Sequence, residues 1–271
     1  MLKKLLKHDF ITTWKVPAAV YAVLIVLGLI TAISVQGVNH FGESFGMSLL
    51  MFSAIGLFYI GIIAANITML IYLVIRYYRS MYTSEGYLTF TLPVKTDMIF
   101  LSKVITGSVW MFLSYICTFI SLAIAGIGFI KATDIPADEF RTLLMSINEV
   151  LGLTDPGLIS IFVYAIIITP IAGIVCIYFC VSIGQLWQNH KILGSVLCFI
   201  ALYIINQLVS QIAMFGSGFW QMMRSSPADI DMMFRHVYLN MMLTVCIITT
   251  LEAIAFYIVC LIINRKKINL D

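Results

Sequence analysis

Between Leu49 and Ile75 the chain reads LLMFSAIGLFYIGIIAANITMLIYLVI, with no Asp, Glu, Lys or Arg. A bilayer core about 30 Å thick takes roughly 20 apolar helical residues to cross, and this stretch exceeds that length. Val16–Val35, Val104–Ile130, Leu158–Gly184, Ile192–Met214 and Val237–Ile263 have the same character, and only Glu252 sets a charged group well inside any of the six. Composition agrees with the pattern. Hydrophobic residues make up 61% of the 271 and charged residues 11%, against about 45–50% and ~25% in a soluble domain. So few polar groups cannot cover a water-exposed surface. The expected fold class is an all-α membrane protein with six transmembrane helices, forming a single transmembrane domain over residues 1–271. A cytosolic enzyme, a secreted disulfide scaffold and a nucleic-acid-binding domain are excluded.

Orientation follows from Lys and Arg, which favour cytoplasmic segments. With the N-terminus inside, inner segments hold Lys3, Lys4, Lys7, Lys15, Arg76, Arg79, Lys95, Lys103, Lys191, Arg265, Lys266 and Lys267. Outer segments hold only Lys131, Arg141, Arg224 and Arg235, while Glu43, Asp134, Asp138, Glu139, Glu149, Asp155, Asp229 and Asp231 lean outward. Both termini are expected in the cytoplasm. Ala32-Ile33-Ser34 has the look of a signal-cleavage tripeptide. The apolar run before it is longer than a signal's ~7–15 residues, so an uncleaved first span is favoured. Cys117, Cys176, Cys180, Cys198, Cys246 and Cys260 all fall in spans, where packing is the expected role.

Ahead of the first span, Leu2, Leu6 and Phe10 recur every fourth residue with Leu5 beside them, while Lys3, Lys4 and Lys7 face away. This reads as an interfacial helix on lipid, with Trp14 at the membrane edge and Ile11 and Thr13 blurring its faces. A plain basic tail that only sets topology is the competing reading. Between spans three and four, Pro136, Asp138 and Glu139 suit a first turn, and Phe140, Leu143, Leu144, Ile147 and Leu151 keep helical spacing. The short Gln185–Lys191 turn makes the fourth and fifth spans antiparallel neighbours. Phe215–His236 is apolar yet interrupted by Gly216, Gly218 and Pro227, which predicts an irregular, re-entrant outer cap. Gly28–Ala32 and Gly61–Ala65 are small-residue pairs that permit close helix approach, and Pro170 predicts a kink.

Sites for chemistry are sparse. The sequence has no GxxxxGK[ST], HExxH, GxSxG or CxxC motif, and His8, His40, His190 and His236 are scattered. The candidate intramembrane polar site is Asn66, Asn206, Gln207, Gln211 and Glu252. A carboxyl group in a bilayer is costly and points to function by default. Glu252 reads either as a proton-coupling or substrate-contacting group, or as a carboxyl that hydrogen-bonds to an Asn or Gln and pins helices together.

The longest inner connection reads RYYRSMYTSEGYLTFTLPVKTDMIFLSK from Arg76 to Lys103. Ser84 is placed to cap a short helix through Tyr87, Leu88 and Phe90 that Pro93 closes, and Thr96-Asp97 to cap the next. The result is an aromatic knob, suited to docking a protein or to folding back on the leaflet.

Glu85-Gly86-Tyr87-Leu88-Thr89-Phe90-Thr91-Leu92-Pro93-Val94 closely resembles a string in permease subunits of bacterial ABC type-2 exporters, especially those of Gram-positive bacteria. The likeness extends to Arg76-Tyr77-Tyr78-Arg79 and Leu101-Ser102-Lys103. It departs at Lys95, where relatives often carry a small polar residue. The resemblance implies a multi-pass protein of the bacterial cytoplasmic membrane with the interfacial helix at Leu2, Leu6, Phe10 and Trp14. Glu85, Gly86, Tyr87, Leu88, Phe90 and Pro93 would form a coupling helix that docks on separate ABC ATPase subunits. It further implies a second permease chain, as homodimer or heterodimer. No cofactor would be bound by this chain, which would not itself be an enzyme, because ATP and Mg would reside in the ATPase. A secondary transporter or channel using Glu252, and an antimicrobial-peptide resistance or immunity permease, are the alternatives.

Overall fold

A computed structural model of the chain describes residues 2–41, 45–86, 91, 94–132, 138–139, 141–142, 145–146, 148, 156–187, 190–224 and 230–266. The main elements are helices α1 (Leu2–Thr13), α2 (Lys15–Phe41), α3 (Phe45–Tyr82), α4 (Thr96–Ala132), α5 (Pro156–Gly184), α6 (Lys191–Arg224) and α7 (Ile230–Lys266). No strand occurs among the described residues. Six of these helices, α2 to α7, are long and apolar enough to cross a membrane. The chain is a multi-pass α-helical membrane protein.

Each helix outruns its expected span. Helix α3 has 38 residues, far more than a ~30 Å core demands at about 1.5 Å per residue. Its last turns carry Arg76 and Arg79 beyond the apolar stretch. The largest overshoot is in Phe215–His236. Where irregular backbone was expected, residues 215–224 continue α6 through Gly216 and Gly218, and residues 230–236 open α7. Glycine weakens a helix by only about 1 kcal/mol, too little to stop one already long. Pro170 likewise lies inside an α5 that continues past it. Residues 138–139, 141–142, 145–146 and 148 are helical, whereas Phe140, Leu143, Leu144, Ile147 and Leu151 lie outside the described residues.

Contacts group into two units. The first takes Met1–Arg76 with Thr106–Ser146, and the second takes Tyr77–Ile105 with Ile147–Asp271. The boundary therefore cuts α3 after Arg76 and α4 before Thr106.

In the first unit, small residues set the approach of α2 to α4. A Cβ on Gly128 would lie 2.5 Å from Ala32 Cα, and one on Gly28 would lie 2.9 Å from Ser121 O. The Gly28–Ala32 pair thus meets a complementary pair seven residues apart on α4, as small residues do where hydrocarbon cannot drive helices together. At the second predicted pair the neighbour is a side chain: a Cβ on Gly61 would lie 2.5 Å from the flexible end of Leu27. Helix α1 is fixed to the same unit by Thr13. Trp110 Nε1 donates to Thr13 Oγ1 at 2.9 Å, and Tyr72 Oη donates to the Thr13 carbonyl at 3.2 Å. Leu2, Leu5, Leu6 and Phe10 are half-buried, Lys3, Lys4 and Lys7 are exposed, and Trp14 is the exposed turn before α2. The residue that blurred the amphipathic pattern is the one that anchors the helix.

In the second unit, α5, α6 and α7 pack against one another. The α5–α6 turn is tight because Gly184 lets the chains touch: a Cβ there would sit 2.6 Å from Ser195 N and 2.8 Å from Lys191 O.

Replacing Gly128 with Val should lower stability by about 1–3 kcal/mol, because backbone rather than a flexible side chain blocks the added methyls. Gly56→Ala, where an added Cβ meets nothing within 4 Å, should be neutral or slightly stabilising. Thermal denaturation of both variants in one detergent checks the pair.

Candidate functional site

The ends of the α3–α4 connection form the best-built polar feature of the second unit. The last turns of α3 contribute two hydroxyl-bearing side chains, and α5 and α7 one hydroxyl and one amide, where their hydrocarbon stretches finish. Tyr77 Oη lies 3.0 Å from Ser182 Oγ. Tyr82 shares its hydroxyl between Ser182 Oγ at 2.9 Å and Asn264 Oδ1 at 2.8 Å. Tyr77, Tyr82, Ser182 and Asn264 are all at least nine-tenths buried. Three hydroxyl protons are available for three contacts, and the run ends on an amide oxygen that only accepts. Asn264 Nδ2 is buried with no partner among the described residues, which costs about 1–3 kcal/mol. The group is held in place by its surroundings.

Those surroundings are aromatic. Tyr77 stacks on Tyr178 with centroids 3.9 Å apart and planes 9° from parallel. Tyr82 and Phe100 meet Tyr77 edge-on at 5.9 and 6.2 Å, the arrangement that ring quadrupoles favour. Phe100 also lies 5.3 Å from Tyr257, while Ile99 and Met81 are fully buried beside them in sequence.

At the edge of this cluster, Asp97 was expected to cap α4. Instead Lys95 O accepts the first helical bond from Met98 N at 2.9 Å, and the Asp97 carboxylate takes both arms of Arg265. Arg265 Nε donates to Oδ1 at 2.8 Å, and a second arm meets Oδ2. The pair joins the first turn of α4 to the last turn of α7, so each charge also complements a helix dipole.

Ser84 shifts by one residue as well. Thr83 forms the bend, and residues 84–86 are helical, with Gly86 N donating to Thr83 O at 2.8 Å. Thr83 Oγ1 meanwhile donates back to Arg79 O at 2.6 Å. Gly86 is buried, and a Cβ on it would lie 2.8 Å from both C and O of Met81. Only glycine lets the chain turn back over α3 at this point. Glu85 is exposed, and Tyr87, Leu88, Phe90 and Pro93 lie outside the described residues.

The intramembrane candidates behave as separate groups. Asn66, in the first unit, ties α3 to α4: its Nδ2 donates to Thr118 Oγ1 at 3.4 Å and to Ile62 O at 2.9 Å, and Ser114 Oγ donates to its Oδ1 at 3.3 Å. In the second unit, Asn206 and Glu252 are half-buried, and Gln207 and Gln211 are exposed. No hydrogen bond joins Glu252 to any of these three amides.

One groove runs between α5 and α7, about 410 Å³ in volume, beside Tyr164, Leu243, Ile247 and Leu251. Its hydroxyls are engaged internally. Tyr164 Oη and Thr250 Oγ1 lie 2.6 Å apart, and Thr250 also donates to Cys246 O. The groove therefore offers a hydrocarbon lining. No group of His, Cys, Asp and Glu side chains suited to a metal ion occurs among the described residues.

The tyrosine cluster was not foreseen. Its signal was present in the polar residues Ser182 and Asn264 at the ends of apolar helices, but nothing in their spacing shows that they meet Tyr77 and Tyr82.

No protein-family model, curated protein or solved structure matches the chain. What the fold defines is the class, a multi-pass membrane protein with six membrane-length helices.

Tyr82→Phe should keep the ring packing and lower stability by about 1–3 kcal/mol, since Ser182 and Asn264 each lose a partner. Melting in detergent tests it. Glu252→Gln should leave the protein as stable as the parent, because no cation pairs with the carboxylate among the described residues. A large loss of monodisperse protein on size exclusion would show that its charge is required.

Proposed function

We propose that this chain is the transmembrane permease subunit of an ABC-type exporter in a bacterial cytoplasmic membrane. The observation that carries the reading is the α3–α4 connection. It holds the Glu85–Val94 string that resembles the coupling segment of type-2 exporter permeases, and both its ends are set in a buried cluster. A segment that receives force needs rigid supports. Gly86, folded against the Met81 carbonyl, gives the string's glycine a physical reason.

In this reading Tyr87, Leu88, Phe90 and Pro93 face the cytosol and dock on an ATPase subunit that binds ATP and Mg. Both termini are cytoplasmic, in line with the Lys and Arg distribution. The half-buried side chains Leu2, Leu6 and Phe10, with exposed lysines opposite and Trp14 at the turn, suit an interfacial α1 on the inner leaflet. The exposed Phe215, Phe219, Trp220 and Met223 suit a continuous outer end of α6 that keeps its apolar side chains against lipid. A second permease chain completes the substrate path. The cargo is exported, or is an antimicrobial peptide that the complex expels or detaches.

A secondary transporter is the second reading. It is favoured by Glu252, a half-buried carboxylate in a span with no hydrogen-bonded partner among the described residues.

Mild solubilisation through a C-terminal tag should co-purify a stoichiometric ATPase, and Tyr87→Ala with Phe90→Ala should reduce its recovery at least tenfold while the spans stay inserted. Purification of the parent chain alone, stable and intact, would reject the permease reading and turn attention to Glu252.

A further inference from the structure

The two ends of the α3–α4 connection are held by different chemistry but to the same helix. On the entering side, Tyr82 bonds to Asn264 of α7 and to Ser182 of α5, and Tyr77 bonds to the same Ser182. On the leaving side, Asp97 pairs with Arg265 and Phe100 packs on Tyr257, both on α7. Three of the ties thus land within two or three turns of α7. The boundary between units falls accordingly, with Tyr77–Ile105 grouped with α5, α6 and α7 and not with the rest of α3 and α4.

Ring packing alone tolerates sliding, because dispersion contacts are non-directional. A hydrogen-bonded run of Tyr77, Ser182, Tyr82 and Asn264 does not, since each hydroxyl has a fixed direction and burial excludes water as a substitute partner.

We propose that Tyr77, Tyr82, Ser182 and Asn264 are positioning residues that lock the entering end of the α3–α4 connection to α5 and α7, so that a partner pressing on the connection moves those two helices with it. The moving partner belongs to the permease reading above, while the lock is a property of this chain alone. Ser182 is the decisive member. It lies on α5, a hundred residues from the connection, and contributes little but a hydroxyl.

The test is hydrogen exchange on the full chain in lipid nanodiscs. Ser182→Ala should speed exchange of amides in residues 83–86 by about tenfold while the helical body of α5 near residues 160–175 stays as in the parent, and Ser182→Thr should restore the parent rate. Unchanged exchange at residues 83–86, or a change confined to α5, would overturn the lock. So would failure of Ser182→Thr to restore it, because packing rather than the hydroxyl would then be responsible. Should Ser182→Ala not insert, Tyr82→Phe probes the same run with its ring intact, and the same two outcomes decide.

A second arm uses the complex with its ATPase. ATP with Mg should alter exchange in α7 of the parent, and Ser182→Ala should abolish that response while ATPase recovery is unchanged. A full response in the variant would overturn transmission through the lock. If no ATPase is recovered with the parent, the permease reading fails on its own, and the nanodisc measurement still decides the lock.

Discussion

A bilayer offers a polypeptide no hydrogen-bonding partner, and most of this structure follows from that. Backbone groups must be satisfied within each segment, so the spans are helices. Hydroxyl side chains obey the same constraint by bonding back one turn. Ser34 bonds to Ile30 O, Thr169 to Ala165 O, Thr244 to Asn240 O and Thr249 to Val245 O. A hydroxyl satisfied in this way behaves as a slightly polar alkyl group and says little about neighbours. The informative ones leave their own helix: Tyr72 and Trp110 meeting Thr13, Ser114 meeting Asn66, and Tyr77 and Tyr82 meeting Ser182.

The same solvent changes where tight packing is useful. Lipid is as apolar as Leu or Ile, so exposing Phe52, Phe119 or Ile212 costs nothing and burying them gains little. Met69, Ile174 and Val175 are fully buried within spans, but four of the largest fully buried side chains lie elsewhere. Tyr77, Phe100, Met81 and Ile99 crowd both ends of the α3–α4 connection. There the chain leaves hydrocarbon, and hydrophobic burial, ring geometry and directional bonds act together.

The fold was legible because its signal is redundant. Six apolar stretches with only Glu252 set inside them admit few alternatives, and the tight Gln185–Lys191 turn brings α5 against α6 as its length required. Ends were less legible. A helix stops where capping, dipole and tertiary contacts tip a small balance, so Lys95 rather than Thr96 or Asp97 precedes α4, and Gly216 and Gly218 do not interrupt α6. The candidate site was legible only in part. Local pattern placed Glu85 and Gly86 after a long helix, but Asp97 meeting Arg265 and Tyr82 meeting Asn264 are pairings 168 and 182 residues apart. Nothing local encodes such a pairing. Thr13 shows the same limit, since a polar residue that spoils an amphipathic stripe is also one that can receive Trp110 and Tyr72.

Helices α3 and α4 each run unbroken from one contact group into the other. The connection between them is consequently held twice: along the chain by two continuous helices, and across it by α5 and α7. The cross ties differ in kind. The Asp97–Arg265 pair is open to solvent, with its side chains 33% and 60% exposed, and exchanges its partners for water and salt at small cost. The Tyr82–Asn264 contact is sealed, and breaking it strands polar groups away from water. An exposed tie yields first under load and a buried one last.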